Sequence, residues 1–404
     1  MTAAGVTERA VTPSEQAVLD LINIDEIRDI AVELVRGVGQ NPPGEEGPTA
    51  GVLKRICQER GLEVRTSEVA PGRPNVSAVL PGGTAPGLLL LGHTDVVPAG
   101  DGWSLEPFGA QVRAGRLYGR GSADMKGGLA ACVVAMSAIA RAGVRLSGPV
   151  ELAAVVDEEE SGKGIRHYLA SGDLPVFAGC IVAEPTDLQT IIAARGDSYV
   201  EITLTGASAH SGKPEDGRNA IYGAAAVITE IERIHTELAA GAHRLVGPAT
   251  WSVGQVQGGT GTSTVPAECV VVADRRLLPA ESAAKVLAEI IDSVNALGLT
   301  QKGLAVAVRM TMDMPGFETP PAHPLVTVVH QCVRDANGPN LPLGGWSAAC
   351  DGGFIARDAE VPVVVLGPGS VANQAHRPDE SVPLQDLVVA ARTYALCALR
   401  LLGR

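Results

Sequence analysis

The sequence predicts an α/β protein: an α/β/α layered domain built from both ends of the chain, carrying an inserted α+β domain. Three observations predict it. Short, nearly continuous Val/Leu/Ile runs alternate with helical segments up to about Glu184, as expected of strands buried on both faces of a sheet. After Arg195 the pattern changes to polar–apolar alternation, which suits a sheet with one solvated face. Near residue 361 the apolar strand pattern returns. The expected divisions are therefore 1–194, 195–312 and 313–404.

Each element has its own signal. Val18, Leu21, Ile22, Ile27, Ile30, Ala31, Leu34 and Val35 recur at helical spacing across 14–36, and QNPPGEEGP (40–48) ends that helix. A second helix spans 50–60 and stops at Gly61, a residue suited to a left-handed cap. Strands are expected at 76–80, 88–93, 150–156 and 180–184, with a helix at 128–140. The middle region reads as strand 198–210, helix 219–239, strands 249–259 and 269–278, helix 281–296 and strand 304–310. That β-α-β-β-α-β order is the split, ferredoxin-like arrangement. DMPGFETPPAHP (313–324) reads as a hinge. A helix around 325–336, a Gly-rich segment, the strand 361–367 and a last helix from Pro383 complete the chain.

Composition narrows the function. The 404 residues carry 32 Lys+Arg against 45 Asp+Glu, a net charge of −13, which argues against nucleic acid or an anionic membrane as partner. With only 3 Trp, 5 Tyr and 4 Phe, a base-stacking platform is not expected either. The 48 Gly and 27 Pro imply many turns and close backbone approaches. Seven cysteines are scattered at 57, 132, 180, 269, 332, 350 and 397 without a CxxC pair, so neither a disulfide framework nor a zinc knuckle is expected. The N-terminal residues show no charged region followed by an apolar core. The apolar run 127–140 is shorter than the ~20 residues a spanning helix needs. A cytoplasmic protein is the expectation.

Several expected strand ends carry metal-type side chains, and ligands of open α/β sheets bind at such ends. LLLLGHTDVVP ends on His93, with Asp95 two residues on. LYGRGSADMKGG places Asp124 before a helix, VELAAVVDEEE ends on Asp157 to Glu160, and CIVAEPT ends on Glu184. LGPGSVANQAHRPDE presents His376 in a loop. Singly, each reads as a capping, surface or hydrogen-bonded structural residue. Together, two imidazoles and several carboxylates make a donor set suited to zinc and similar divalent ions.

GHTDVVP, GRGSADMKGG, VVDEEESGKG, AEPT and QAHRPDESV, in that order, closely resemble the di-metal amidohydrolase and metallopeptidase family. Acetylornithine deacetylase, succinyl-diaminopimelate desuccinylase, aminoacylase and glutamate carboxypeptidase belong to it. The resemblance runs from about residue 20 to the end of the chain. It implies a layered metallohydrolase domain with an inserted ferredoxin-like lid and dimerisation domain. It also implies two divalent metal ions, zinc foremost, with cobalt or manganese as alternatives. His93, Asp124, Glu159, Glu184 and His376 would be the ligands, Asp124 bridging and followed by a cis peptide bond. Asp95 would orient His93, and Glu158 would activate a metal-bridged water.

In the inserted domain TGASAHSGKPEDGRNAI resembles the family's lid motif, which gives His210 a role at the oxyanion, across a dimer interface in many relatives. Arg276 in ADRRLLP matches a residue that binds the substrate carboxylate, and Asn219 in GRNAI matches the family too. One departure stands out: GGTGTSTVP places Ser263 where relatives carry Asn. Gly352 lies in GGWSAACDGGF, a loop the family places near the metals, and its glycines suit a close approach to substrate. Glu at 184 favours a deacylase, because the family's aminopeptidases and many dipeptidases more often carry Asp there. The implied activity is cleavage of the amide bond of an N-acyl amino acid, with a carboxypeptidase or dipeptidase as the alternative. The implied partners are that small substrate or a short peptide and a second copy of the chain.

Overall fold

Strands that are buried almost throughout need cover on both faces, and four of them lie at the centre of the first of two compact units. The computed structural model describes residues 10–172 and 174–403. The first nine residues, part of the segment read above as lacking a leader pattern, lie outside the described residues. Unit one comprises Met1–Ile192, Thr319–Gly344 and Phe354–Arg404; unit two comprises Ala193–Glu318 and Gly345–Gly353. Unit two thus extends beyond 195–312 and takes in a Gly-rich stretch that the sequence pattern left with 313–404.

In the first unit the strands Glu63–Ala70, Arg73–Leu80, Val150–Val155, Gly87–His93, Phe177–Val182, Val363–Val365 and the start of Ile191–Ala194 lie side by side in that order. Val150–Val155, Gly87–His93, Phe177–Val182 and Val363–Val365 are mutually parallel. Their register sorts the side chains between two faces. Gly92 stands opposite Ala154 and in phase with Leu88 and Leu90. A Cβ on Gly92 would come within 2.4 Å of Met125 and 2.9 Å of Leu129, so the helix Gly127–Arg141 and the turn before it lie hard against that face. Glu151, one residue out of phase, accepts a hydrogen bond from Tyr168 of the helix Lys163–Ala170 at 3.1 Å on the other face. Helices therefore cover both faces, the α/β/α layering expected. The helix Leu384–Leu402 packs on Gly127–Arg141 and Pro324–Asp335 and completes one layer.

Several elements differ from the sequence pattern. The expected helix 14–36 is two helices, Pro13–Leu19 and Ile24–Arg36, because Asn23 caps the second through the Asp25 amide; a side chain offering an acceptor to the backbone starts a new helix. The strand Glu63–Ala70 carries no apolar run because it is a largely exposed edge strand. The stretch Ser122–Arg141, taken with its leading turn, is 20 residues long and apolar enough to cross a membrane, contrary to the shorter run read above. Yet 89% of it is buried inside the protein, where an apolar helix serves as core.

Unit two is a four-stranded antiparallel sheet in the order Thr250–Gly258, Glu268–Leu277, Gly196–Thr205, Ala305–Met314. The helices Ala220–Leu238 and Ala283–Ala296 pack on it. Val200, Ile202 and Leu204 from one strand and Val271 and Ala273 from its neighbour share its core with Val227 and Ile290 of the helices. The strand Ala305–Met314 runs into the expected hinge, whose remaining residues include the short strand Phe317–Glu318.

All seven cysteines are free and buried, and burial pushes the Cys57 thiol up to about 12. The native protein is therefore expected to leave Ellman's reagent unconsumed at pH 8 over minutes, with all seven thiols reacting after denaturation. Rapid labelling of several native thiols would contradict this burial.

Candidate metal centre

The parallel strands end on one edge of the sheet, and their carboxyl ends deliver the chemistry. His93 is the last residue of Gly87–His93; Asp157, Glu158 and Glu159 follow Val150–Val155; Glu184 follows Phe177–Val182. Asp124 sits in the distorted turn Ser122–Lys126 that leads into the helix Gly127–Arg141, and the Asp124–Met125 peptide is cis. This helix starts in close contact with the neighbouring strand end. A Cβ on Gly128 would lie 2.2 Å from the Ala183 carbonyl oxygen, so only glycine lets the Asp124 turn approach Glu184. His376 comes from the loop after Val363–Val365 at φ 62°, a conformation seldom adopted by non-glycine residues and often met at functional sites.

The side chains converge. His93 Nε2 lies 3.3 Å from Asp124 Oδ1, 3.4 Å from Glu184 Oε1 and 4.0 Å from Glu158 Oε2. His376 Nε2 lies 3.0 Å from Glu159 Oε2 and 3.5 Å from Asp124 Oδ2. The two oxygens of Asp124 thus face different imidazoles. Glu158 and Glu159 diverge as neighbours at a strand end do, one toward His93 and the other toward His376. His93, Glu158 and Glu184 can each offer an atom within 4.8 Å of the others, and so can His93, Asp124 and Glu159.

Charge balance shows what the cluster lacks. Burial pushes the Glu184 carboxyl up to about 7, Asp124 and Glu159 adding repulsion against the pull of His93. Burial and Asp124 likewise raise Glu159. His376 is raised to about 10 by its bonds to Asp124 and Glu159. Burial works against a charge on His93, but Glu184, Asp124 and Asp95 hold its pKa well above the ordinary imidazole value. Protons are thus drawn to a centre that is short of positive charge. Its donors, imidazole nitrogen and carboxylate oxygen, are those that divalent zinc, cobalt or manganese accept, so the residues fit two such ions.

Asp95, fully buried, contacts both halves of this centre. The His93 Nδ1–H donates to the Asp95 carbonyl oxygen at 3.0 Å, with the carboxylate at 3.5 Å; that contact leaves the Nε2 lone pair free for a cation. The Asp95 carboxylate also accepts from the backbone amides of Glu158 and Glu159, at 3.3 and 3.2 Å. Burial opposes its charge, but His93, Asn41 and the Glu159 amide hold its carboxyl below the usual range.

Several participants carried no sequence signal. Asn41 Nδ2 donates to Asp95 and Asp157. Arg73 links Asp157 to the buried Glu46. Glu380 accepts from the amides of Gly121, Ala123 and Asp124 and from Arg120, which fixes the Asp124 turn. The short strand Ser381–Pro383 pairs with Arg116–Tyr118 and puts Glu380 there. Glu380 lies inside a quoted motif, but nothing in the motif distinguishes an acid that binds backbone from one that binds metal.

The remaining expected residues belong to unit two. His210 is exposed and takes the Gly212 amide on Nδ1 at 3.0 Å, and the Ser263 carbonyl accepts from the Ser211 amide at 3.0 Å, so those two segments are paired. Asn219 caps the helix Ala220–Leu238 through the amides of Ile221 and Tyr222. Arg276 is held by Asp274 and Asp197. Gly352 is buried at the start of the helix Gly352–Asp358. His323 and His235 serve the backbone, accepting from the amides of Leu325 and Trp251.

Residues 89–400 match peptidase family M20/M25/M40. The chain belongs to that family. An acetylornithine deacetylase of Proteus mirabilis is 33% identical over 332 residues, covering 80% of this chain and 81% of that protein. Among solved structures, an M20-family metallo-carboxypeptidase from Sulfolobus solfataricus superposes with a TM-score of 0.77 at 19% identity, covering 93% of this chain and 98% of that one. A dinuclear metal-binding M20 peptidase from Bacillus subtilis gives 0.71 at 16% identity, covering 96% and 99%. These M20 structures share the fold.

Cation binding must displace protons. His376 keeps its proton below about pH 10 and Glu184 below about pH 7 in the cation-free centre, so falling pH favours the protonated, cation-free form. Affinity for zinc should therefore drop from pH 8 to pH 6, with proton release larger at the lower pH. Calorimetry in buffers of different ionisation enthalpy measures this release; heats independent of the buffer would contradict it.

Proposed function

We propose that this M20-family hydrolase is a divalent-metal-dependent deacylase that cleaves the amide bond of an N-acyl amino acid. The observation that carries the reading is the separation of roles at one strand end. Glu159 engages His376 at 3.0 Å, whereas Glu158 stands 4.0 Å from His93 and within 4.8 Å of Glu184. Support for the deacylase over a peptidase comes from the 33% identical acetylornithine deacetylase and from Glu rather than Asp at position 184.

His93, Asp124 and Glu184 would hold one ion, and Asp124, Glu159 and His376 the other, zinc before cobalt or manganese. When bound, such a pair polarises a carbonyl and lowers the pKa of water toward neutrality. Glu158 then does the proton work. Its carboxylate takes a proton from the attacking water and delivers it to the departing amine, base first and acid second. Asp95 keeps the His93 ring in one tautomer and holds the Glu158 backbone, so the base does not drift during the cycle. Roles for His210, Arg276, Asn219, Ser263 and Gly352 toward the substrate belong to the same proposal.

Glu158→Gln keeps the shape and removes the base. It should retain both metals by elemental analysis while kcat falls about 100- to 10,000-fold; an unchanged kcat would remove Glu158 from this role. Reaction class is decided by assaying N-acetyl, N-formyl and N-succinyl amino acids beside dipeptides, with metal content measured on the same preparation. N-acyl amino acids are expected to be preferred. Preference for dipeptides would replace the deacylase reading with a carboxypeptidase or dipeptidase.

A further inference from the structure

Behind the metal centre runs a buried polar chain that the reaction does not use directly. Glu46, fully buried, forms a two-pronged pair with Arg73, at 2.8 Å to Nε and 2.5 Å to Nη2. Arg73 Nη2 reaches on to Asp157 Oδ1 at 2.8 Å. Asp157 in turn accepts from Ser161 Oγ at 2.5 Å and the Lys163 amide at 3.3 Å, and the Lys163 ammonium stands 3.5 Å away. Between Asp157 and Asp95 stands Asn41. Its Nδ2 donates to Asp95 Oδ2 at 3.0 Å and to Asp157 Oδ1 at 3.2 Å.

An amide nitrogen has two hydrogens, and here each has its own carboxylate. The two acids lie on either side of the turn that directs Glu158 and Glu159. Asp157 starts it at φ 69°, an uncommon conformation for a non-glycine residue. Asp95 finishes it by holding both glutamate amides. Asn41 itself is fixed from behind, since its backbone N–H donates to the Val96 carbonyl at 2.9 Å and the Val96 backbone N–H donates to the Gly39 carbonyl at 3.0 Å. The loop also makes room for the remote cation: a Cβ on Gly44 would lie 2.5 Å from the Arg73 guanidinium carbon.

We propose that Asn41 is a positioning residue of this enzyme, a neutral clamp that ties Asp95 to Asp157 and thereby sets the direction of Glu158 and Glu159 and the orientation of His93, with Arg73 and Glu46 as its anchor. The proposal rests on the metal-centre reading above but not on which amide is cleaved. Physically, two carboxylates that share one donor neither repel each other apart nor rotate. Removing the donor loosens Asp95, which contacts both His93 and the backbone of the glutamate pair, so both cation positions loosen together. Replacing it with a carboxylate adds a third acid and no donor.

The test uses full-length protein stripped of metal and titrated with cobalt(II), whose visible bands report ligand geometry, with a competing chelator to measure affinity. Asn41→Ala should weaken cobalt binding about 10- to 100-fold and shift the bands, with Asn41→Asp weaker still. In the loaded enzyme kcat should fall while KM stays nearly constant, since substrate contacts are untouched. A merely structural residue would lower the melting temperature and leave affinity, bands and kcat alone. Folded Asn41→Ala with wild-type affinity and spectrum overturns the clamp. Should the Asn41 variants not fold, Arg73→Lys keeps the charge but loses the fork; it is expected to show a smaller loss of the same kind, and wild-type cobalt affinity there also overturns the proposal. Wild-type protein that takes up no cobalt overturns the metal-centre reading and the clamp with it, whereas cobalt binding with a dipeptide preference overturns only the deacylase assignment.

Discussion

The first unit is organised around a crowd of buried carboxylates that cannot all be charged without compensation. Asp124, Glu159 and Glu184 sit within reach of two imidazoles, and burial raises the cost of each charge. Hydrogen bonds alone do not relieve the crowding, because the pKa of Glu184 remains near 7 and that of His376 near 10. Divalent cations relieve it directly. The fold and the chemistry meet at this point: the parallel strands bring the acids together, and the cations make their proximity tolerable.

Holding such a cluster takes backbone as much as side chain. Gly92 and Gly128 allow the helix carrying the Asp124 turn to approach two strand ends more closely than any Cβ would permit. Glu380 then locks that turn through three amides. Asp95 does the same for Glu158 and Glu159. In both cases an acid outside the candidate ligand set binds peptide N–H groups and so fixes an acid within it, which is the usual task of the shell around a metal site.

Unit two follows a different logic. Its alternating strands bury one face against two helices, and its charged residues largely pair among themselves. Arg276 illustrates this: its guanidinium is engaged by Asp274 and Asp197 at once. Burial raises Asp197 to about 7 even so, and one of its oxygens has no hydrogen-bond partner. Asn219 likewise spends its side-chain oxygen on a helix cap.

What the sequence determined by itself was the periodicity and the order of polar residues ending apolar runs. Uniformly apolar segments such as LLLLGH needed cover on both faces, and that requirement alone made a layered α/β domain. His93, Asp95, Asp124, Glu158, Glu159, Glu184 and His376 were visible because each interrupts an apolar pattern or stands in a Gly/Pro loop. Asn23 and Glu63–Ala70 were not, since a cap inside a helical pattern and a polar edge strand leave no apolar trace. Only the tertiary structure revealed that Glu158 and Glu159 diverge toward different imidazoles, that Asp124 faces both, and that Asn41, Arg73, Asp157 and Glu380 hold them there. The reason is geometric: these contacts join residues 31 to 260 positions apart, and no local pattern encodes a contact whose partners meet only after the sheet has formed.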